Sequence, residues 1–390
     1  MTDIKKRAYQ FIILFGIISL LGDIIYEGAR SVNAQYLKEL GANALWVGVV
    51  AGLGEFIGYA IRLVSGYLSD KTKAYWLFTF IGYGLLISVP LLALTGLWQV
   101  AALLMVAERL GKALRSPAKD TILSQVTTQV GRGLGFGLHE AMDQIGAIAG
   151  PLIFTAIFAY IVDYNLGYTI MWIPFMLLIA VLTLARVLVP HPETFETKAT
   201  GQSGPEKLTS TFWLYTAFSA FAIIGFASFP IIAYHLKSHT IVSDMSIPLL
   251  YAIAMGVDAV FAIVIGKLYD TKGMKVLFII PVASAIVPVL SFAFNWIAVT
   301  IGIILWGLVM AIHETIMRAA IADLTSLKKR GTGYGIFNTA YGVCMFFGAS
   351  IMGWLYEIDV QYIMIFAFVS ELIALILFIY IMRSIQVKSK

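Results

Sequence analysis

Gly66-Tyr67-Leu68-Ser69-Asp70-Lys71-Thr72-Lys73 closes one apolar stretch of this chain, and Gly266-Lys267-Leu268-Tyr269-Asp270-Thr271-Lys272-Gly273 closes another two hundred residues later. Each is a Gly-x-Leu-x-Asp segment with a cation close behind. The recurrence extends further. Arg115-Ser116-Pro117-Ala118-Lys119-Asp120 matches Arg318-Ala319-Ala320-Ile321-Ala322-Asp323, and Gly135-Phe136-Gly137 matches Gly333-Tyr334-Gly335. Landmarks repeated in the same order at the same place in each half indicate a duplicated bundle. Parallel repeats of this kind put a binding site between the halves, near the bilayer midplane.

Outward from these landmarks the chain is apolar almost throughout. Of its 390 residues 60% are hydrophobic and 13% charged, with a mean hydropathy of +0.87. A soluble fold of this length has too little interior for that much apolar side chain. Apolar stretches fall at 8–37, 44–69, 74–95, 98–118, 133–161, 168–189, 209–236, 246–269, 276–294, 296–323, 332–356 and 362–383. Each is long enough to cross a bilayer, and lipid offers backbone groups no partner outside a helix. The expected fold is an all-α membrane protein, with twelve transmembrane helices in two pseudo-symmetric six-helix bundles. Residues 1–189 form the first bundle, 190–210 a polar cytoplasmic linker and 211–390 the second bundle. Tryptophans 46, 76, 98, 213, 296 and 354 recur near stretch ends, as interfacial anchors do.

Charge sets the orientation. With the N-terminus inside, nearly all Lys and Arg of the loops lie on the cytoplasmic side, and the opposite loops hold only Lys38 and Lys237. That bias predicts a multi-pass protein of the cell membrane with both termini cytoplasmic. It also accounts for the formal charge of +5 without a nucleic-acid partner. The basic segment before the first apolar stretch lacks a small-residue cleavage site, so no signal peptide is expected. One cysteine, Cys344, excludes an intrachain disulfide and a thiol cluster for a metal. No Gly-x-x-x-x-Gly-Lys-Ser/Thr segment occurs, and His313-Glu314 lacks the second His of a zinc-protease motif, so no enzyme and no cofactor are expected.

At the two Gly-x-Leu-x-Asp segments the chain resembles the major facilitator superfamily, over essentially its whole length. The family's loop reads Gly-x-Leu-x-Asp-Arg-x-Gly-Arg-Arg. The first copy here keeps Gly66, Leu68, Asp70 and a cation at Lys71 but has Lys73 at the second Gly; the second copy keeps Gly273. The resemblance implies secondary transport by alternating access in a protein that works as a monomer. It also implies a latch for the closed state, to which Gly66, Asp70, Lys71, Arg115, Asp120, Gly266, Asp270, Arg318 and Asp323 are assigned. Glu108-Arg109-Leu110-Gly111-Lys112 through Asp120, followed by Gly135 to Pro151, is similar to a prokaryotic subgroup of transporters. Gly146, Gly150 and Pro151 match the fifth-helix packing motif of exporters, and Arg109 stands for the family's fourth-helix arginine tied to proton coupling.

Ionisable residues at bilayer depth are costly and line a pathway or pair with one another. The third, sixth and ninth stretches carry none at depth, as lipid-facing helices would. Asp23, Glu27 and Arg30 share one face of the first helix. Glu27 with Arg30 can be a self-neutralising pair, which leaves Asp23 as a surplus carboxylate. On the fourth helix Glu108 and Lys112 have bridge spacing, and Arg109 needs a partner such as Asp23, Glu27 or Asp143. On the fifth, His139, Glu140 and Asp143 lie within one turn. A histidine beside an aspartate suits proton transfer, serves as a polar contact, or joins a divalent-cation set; no spacing here is diagnostic of a metal. Glu55 on the second helix, Asp258 on the eighth, and His313 and Glu314 on the tenth complete the set. Glu371 in the twelfth breaks the pattern and has no account from sequence.

The expectation is a proton-coupled antiporter exporting a small molecule, with proton-coupled uptake of a polar metabolite or divalent-metal export as alternatives. Most buried charge lies in the first half, so protons are expected to bind there. Apolar contact with the substrate is expected in the second.

Overall fold

The computed structural model describes residues 3–127, 129–130, 132–195, 208–325 and 330–388. Part of the linker read from sequence, 196–207, and the side chain of the latch residue Arg318 lie outside the described residues. The first half contains α1 (Asp3–Glu39), α2 (Ala44–Thr72), α3 (Tyr75–Gly84), α4 (Ser88–Leu91), α5 (Trp98–Thr127), α6 (Arg132–Tyr160), α7 (Tyr164–Ile170) and α8 (Trp172–Leu188). The second contains α9 (Ser210–Ile224), α10 (Phe229–Ser238), α11 (Ser246–Lys272), α12 (Ile279–Ser291), α13 (Trp296–Leu324), α14 (Arg330–Ile358) and α15 (Val360–Lys388).

Ten stretches among the described residues are long and apolar enough to cross a bilayer. One of them, Ser246–Ser291, is 46 residues long. At 1.5 Å per residue that is over twice a ~30 Å hydrocarbon core, and it holds two helices, α11 and α12. The 30-residue α5 is missing from the ten because Glu108, Arg109, Lys112, Arg115, Lys119 and Asp120 interrupt its apolar run. With these two additions the molecule has the twelve transmembrane helices expected.

The turn that splits Ser246–Ser291 shows how the repeated segments work. Gly273 has φ +59°, and Lys73, at the same place in the first copy, has φ +56°. Both helices therefore end on a left-handed residue, which glycine adopts without strain and lysine does not. The segments themselves, 66–70 and 266–270, are still helical.

Two departures from the expected stretches shape the site. The fourth stretch was expected to end at 118, but α5 continues through Pro117 to Thr127. Pro117 packs 3.4 Å from where a Cβ on Gly66 would lie, and Ser65 Oγ donates to the carbonyl of Ala113 at 2.7 Å. These contacts hold the end of α2 on α5 where the ring removes a backbone donor. The seventh stretch is broken. α9 stops at Ile224, and α10 begins at Phe229 with Pro230 in its first turn, the position proline tolerates. Trp306 Nε1 donates to the carbonyl of Ala227 at 2.9 Å, satisfying a group that the break exposes.

Two compact units emerge, Met1–Leu40 with Ile57–Thr200, and Gly41–Phe56 with Gly201–Lys390. Residues 41–56, on the N-terminal side of the sequence division, group with the second unit because they pack on α14. The backbone N–H of Ala44, at the start of α2, donates to Glu357 Oε1 at 2.6 Å, a carboxylate at a helix N-terminus. A Cβ at Gly52 would lie 2.8 Å from Phe346 Cα, so only hydrogen fits there.

In the first unit α1 packs on α6, α5 and α8. The α1–α6 crossing is the tight one. A Cβ on Gly150 would reach 2.7 Å from Gly28 N and 3.0 Å from Gly28 Cα, and one on Gly146 would reach 3.0 Å from Asp23 Cβ. Glycines admit this approach, and it brings the polar residues of three helices together.

Candidate functional site

Asp23 packs against Gly146, one turn beyond Asp143. The same crossing presents Ser19 of α1 to His139 of α6, Oγ to Nε2 at 3.2 Å. The extension of α5 past Pro117 adds a group from beyond the stretch expected to end at 118. Lys119 Nζ lies 2.9 Å from His139 Nε2, 3.3 Å from Ser19 Oγ and 3.9 Å from Asp143 Oδ2. His139 Nε2 is 3.7 Å from Asp143 Oδ2. With an ammonium as donor, Nε2 accepts and the ring proton sits on Nδ1, which has no hydrogen-bond partner. Asp143 Oδ1 is likewise buried without one. The pair expected from sequence, His139 with Asp143, is thus part of a quartet with Lys119 and Ser19. Glu140, on the same turn, is exposed and accepts from Gln144 at 3.4 Å.

One turn along α1 a second cluster forms around Tyr26, an aromatic that sequence reading passed over. Tyr26 is buried, at 2% exposure. Lys112 Nζ stands 3.8 Å above its ring centroid, and the Arg109 and Arg30 guanidiniums lie 4.6 and 5.9 Å away. Its hydroxyl accepts from Arg109 and from Arg30 Nη1 at 3.3 Å. Glu27 Oε1 is 3.8 Å from Arg30 Nη1, the pair expected from spacing. Glu108 Oε2 is 3.6 Å from Arg109 Nε. One aromatic face therefore gathers three cations from α1 and α5, with carboxylates beside them. Cation–π attraction is stronger where water is excluded.

Four of the residues assigned to the latch have partners within their own unit. Asp70 Oδ1 accepts from Tyr75 OH at 3.1 Å, and Lys71 lies 5.8 Å from the Tyr67 ring centroid. Arg115 is buried; its Nη1 donates to the carbonyl of Gly82 at 3.3 Å, and its guanidinium stacks 4.9 Å from Tyr83. It fastens α5 to α3. In the second unit Asp323 Oδ2 accepts from Tyr269 OH at 2.7 Å. Asp120 sits next to Lys119 in the chain, Asp270 is exposed at the end of α11, and a Cβ at Gly266 would meet nothing within 4 Å.

The remaining candidates belong to the second unit. Asp258 is buried on α11, and Glu55 and Glu314 are half-buried. His313 is 2% exposed, with no hydrogen-bond partner on either ring nitrogen. It packs edge-on to Phe226 at 5.0 Å, and Phe226 stacks on Trp306 at 5.7 Å. The break between α9 and α10 is thereby walled with aromatics. Among the described residues no group of three or more His, Cys, Asp and Glu is placed to hold a metal ion.

Comparison with known proteins places this arrangement. The model of the Major Facilitator Superfamily matches residues 12–294 and 214–390. An uncharacterized protein of Mycobacterium tuberculosis is 38% identical over 377 residues, covering 95% of this chain and 92% of the relative. An uncharacterized MFS-type transporter of Methanocaldococcus jannaschii is 26% identical over 397 residues, covering 97% of this chain and 96% of the relative. Among solved structures, a variant of the nucleoside transporter NupG superposes with a TM-score of 0.74 at 15% identity, over 95% of this chain and 99% of that one. A bacterial homolog of the human lysosomal transporter Spinster, inward-facing and occupied, superposes with 0.70 at 13% identity, over 98% of each chain. These structural likenesses speak for the fold. The duplicated helices, the paired Gly-x-Leu-x-Asp segments and the family match agree: the chain is a multi-pass membrane protein and a secondary transporter, not an enzyme, and it belongs to the Major Facilitator Superfamily.

Proposed function

We propose that the chain is a proton-coupled antiporter that exports a small molecule by alternating access, with its proton site at the α1–α5–α6 crossing. The observation that carries this reading is Asp143, whose one carboxyl oxygen faces Lys119 and His139 while the other is buried without a partner. Asp23 is at the same crossing. Two carboxyls at one half-buried crossing are suited to share one proton, and Lys119 is positioned to follow the charge. Protonation of Asp143 removes the carboxylate that Lys119 faces, leaving its ammonium to Ser19 and His139. Deprotonation restores the attraction. Such an exchange gives α5 and α6 two electrostatic arrangements, which an alternating cycle requires. Moving one charge across the membrane is worth about 2.3 kcal/mol per 100 mV, enough to bias the cycle. Arg109, held on Tyr26, is the charge partner facing the cargo.

Both termini lie in the cytoplasm in this reading, in a plasma-membrane protein that acts as a monomer, with the two bundles divided at the 190–210 linker. The latch residues restrain the cytoplasmic ends of the helices between strokes. Small residues at Gly146 and Gly150 match the exporter pattern and favour export over uptake.

The test uses proteoliposomes with an imposed pH gradient of either sign. The probes are a nucleoside and a dipeptide, after the nucleoside and peptide transporters of similar fold, and an amphipathic dye for the exporter reading. Cargo moving against the proton flux identifies antiport; cargo moving with it identifies uptake by symport and overturns the proposal. Asp143→Asn and Asp23→Asn are expected to abolish gradient-driven movement while counterflow exchange persists. Gradient-driven movement surviving in both variants would sink the assignment of the proton site.

A further inference from the structure

Glu371 is eleven residues into α15, about 17 Å from its start at 1.5 Å per residue, and is only 1% exposed. Neither of its carboxyl oxygens has a hydrogen-bond partner. A carboxylate buried in this way is costly unless something positive meets it. Its surroundings are narrow. Oε1 stands 3.2 Å from where a Cβ on Gly225 would lie, so the carboxyl rests against the break between α9 and α10. Ser284 of α12 is fully buried, with its hydroxyl close to the Glu371 carboxyl. Ser370, the preceding residue, also packs on Gly225.

The backbone contributes as well. α9 ends at Ile224, so the negative end of its dipole lies beside Gly225, against which the Glu371 carboxyl rests. Half-helix C-termini beside a carboxylate are a recurring way of holding a small cation within a membrane. Among the described residues, neither α9, α12 and α14 nor the Gly273–Phe278 turn, all packed against α15, brings a charged side chain to Glu371. A single buried negative charge with a hydroxyl and a helix C-terminus beside it defines the ligand as a monovalent cation, since a divalent one would leave a buried charge unbalanced.

We propose that Glu371, Ser284 and the C-terminal end of α9 form a binding site for one monovalent cation, a proton or a sodium ion, whose occupancy holds the α9–α10 break in place. This site lies within the second unit and is independent of the quartet around Asp143.

The test is thermal melting of the purified full-length protein in detergent. NaCl is compared with choline chloride at equal ionic strength, each at pH 5.5 and at pH 8. For a sodium site, NaCl raises the melting temperature at pH 8 by about 3 °C or more. That shift disappears in Glu371→Gln, and half-saturation in Ser284→Ala needs at least about tenfold more sodium. For a proton site, acid raises the melting temperature whatever the salt, and Glu371→Gln loses the acid-dependent part of the shift. Glu371→Asp pulls the carboxyl back from Gly225, so its effective sodium or proton affinity falls about tenfold or more if the geometry is right. Asp143→Asn retains the sodium response, and the part of the acid response that Glu371→Gln removes, which separates this site from the transport proposal. The inference is overturned if the wild type responds to neither ion. It is equally overturned if the folded variants at Glu371 respond as the wild type does.

Discussion

Replacing Gly150 by alanine puts one methyl group into the α1–α6 crossing, and the structure sets the size of the penalty. The added carbon would stand 2.7 Å from Gly28 N and 3.0 Å from Gly28 Cα, against about 3.5–4.0 Å for an ordinary contact. Both neighbours are backbone, so no side chain can turn aside, and the helices must separate by about 1 Å. Overpacking of this kind costs about 1–3 kcal/mol. The alanine regains up to ~1 kcal/mol of helix propensity, leaving a net loss of roughly 1–2 kcal/mol. At about 2–4 °C per kcal/mol, melting in detergent should fall by roughly 2–8 °C.

The control is Gly58→Ala on α2, where a Cβ meets nothing within 4 Å. Only the propensity gain applies there, and its melting temperature should equal or exceed that of the wild type. Widening the crossing also moves Ser19 and Asp23 away from His139 and Asp143, so Gly150→Ala should impair gradient-driven transport more than its stability loss explains. Equal melting temperatures for the two variants would refute the claim that the crossing is limited by backbone contact.

Two further substitutions test other parts of the account. Lys73→Gly relieves a left-handed lysine at φ +56° and is expected to raise stability by about 0.5–1 kcal/mol; a loss of stability would mean that the Lys73 side chain outweighs the backbone strain. Tyr26→Phe keeps the ring under Lys112 but removes the hydroxyl that accepts from Arg109 and Arg30. Hydrogen bonds to charged groups contribute about 1.5–3 kcal/mol each, so the variant should melt at least ~4 °C lower, and a wild-type melting temperature would show that the guanidiniums find equal partners elsewhere.

The helices and their duplication were legible because hydropathy and short motifs are local. So was the tight crossing, since Gly146 and Gly150 carry their meaning in their spacing. The quartet was half legible. His139 and Asp143 are neighbours on one helix, but Lys119 joins them from α5, and sequence reading placed it in a loop. Its distance of seven residues from Lys112 put both on one helical face, a signal that holds only if the helix survives Pro117. The Gly66 and Ser65 contacts from α2 explain why it does. Tyr26 was missed because an aromatic between charged neighbours resembles ordinary packing, and only the return of α5 puts three cations around it. The broken seventh helix had a local signature in Gly225 and Pro230 that an unbroken apolar run concealed.

Duplication gives the two units the same frame, and their differences show how each was specialised. Aligning Gly22 of α1 with Gly225 at the end of α9 sets Asp23 against Phe226, Tyr26 against Phe229 and Glu27 against Pro230. Where the first unit has charges on a continuous helix, the second has aromatics and a proline at a broken one. The two features are physically exclusive at one place. A continuous helix satisfies its own backbone and leaves side chains to carry charge, whereas a broken helix presents its own carbonyls and helix end, which serve as the polar groups. The two proposed ion sites follow this division: side chains in the first unit, and Glu371 beside a helix end in the second. The break also explains why Glu371 is tolerated so deep in an otherwise apolar helix. Without the end of α9 beside it, that carboxyl would have no polar backbone to face, and an alanine or leucine would serve the packing better.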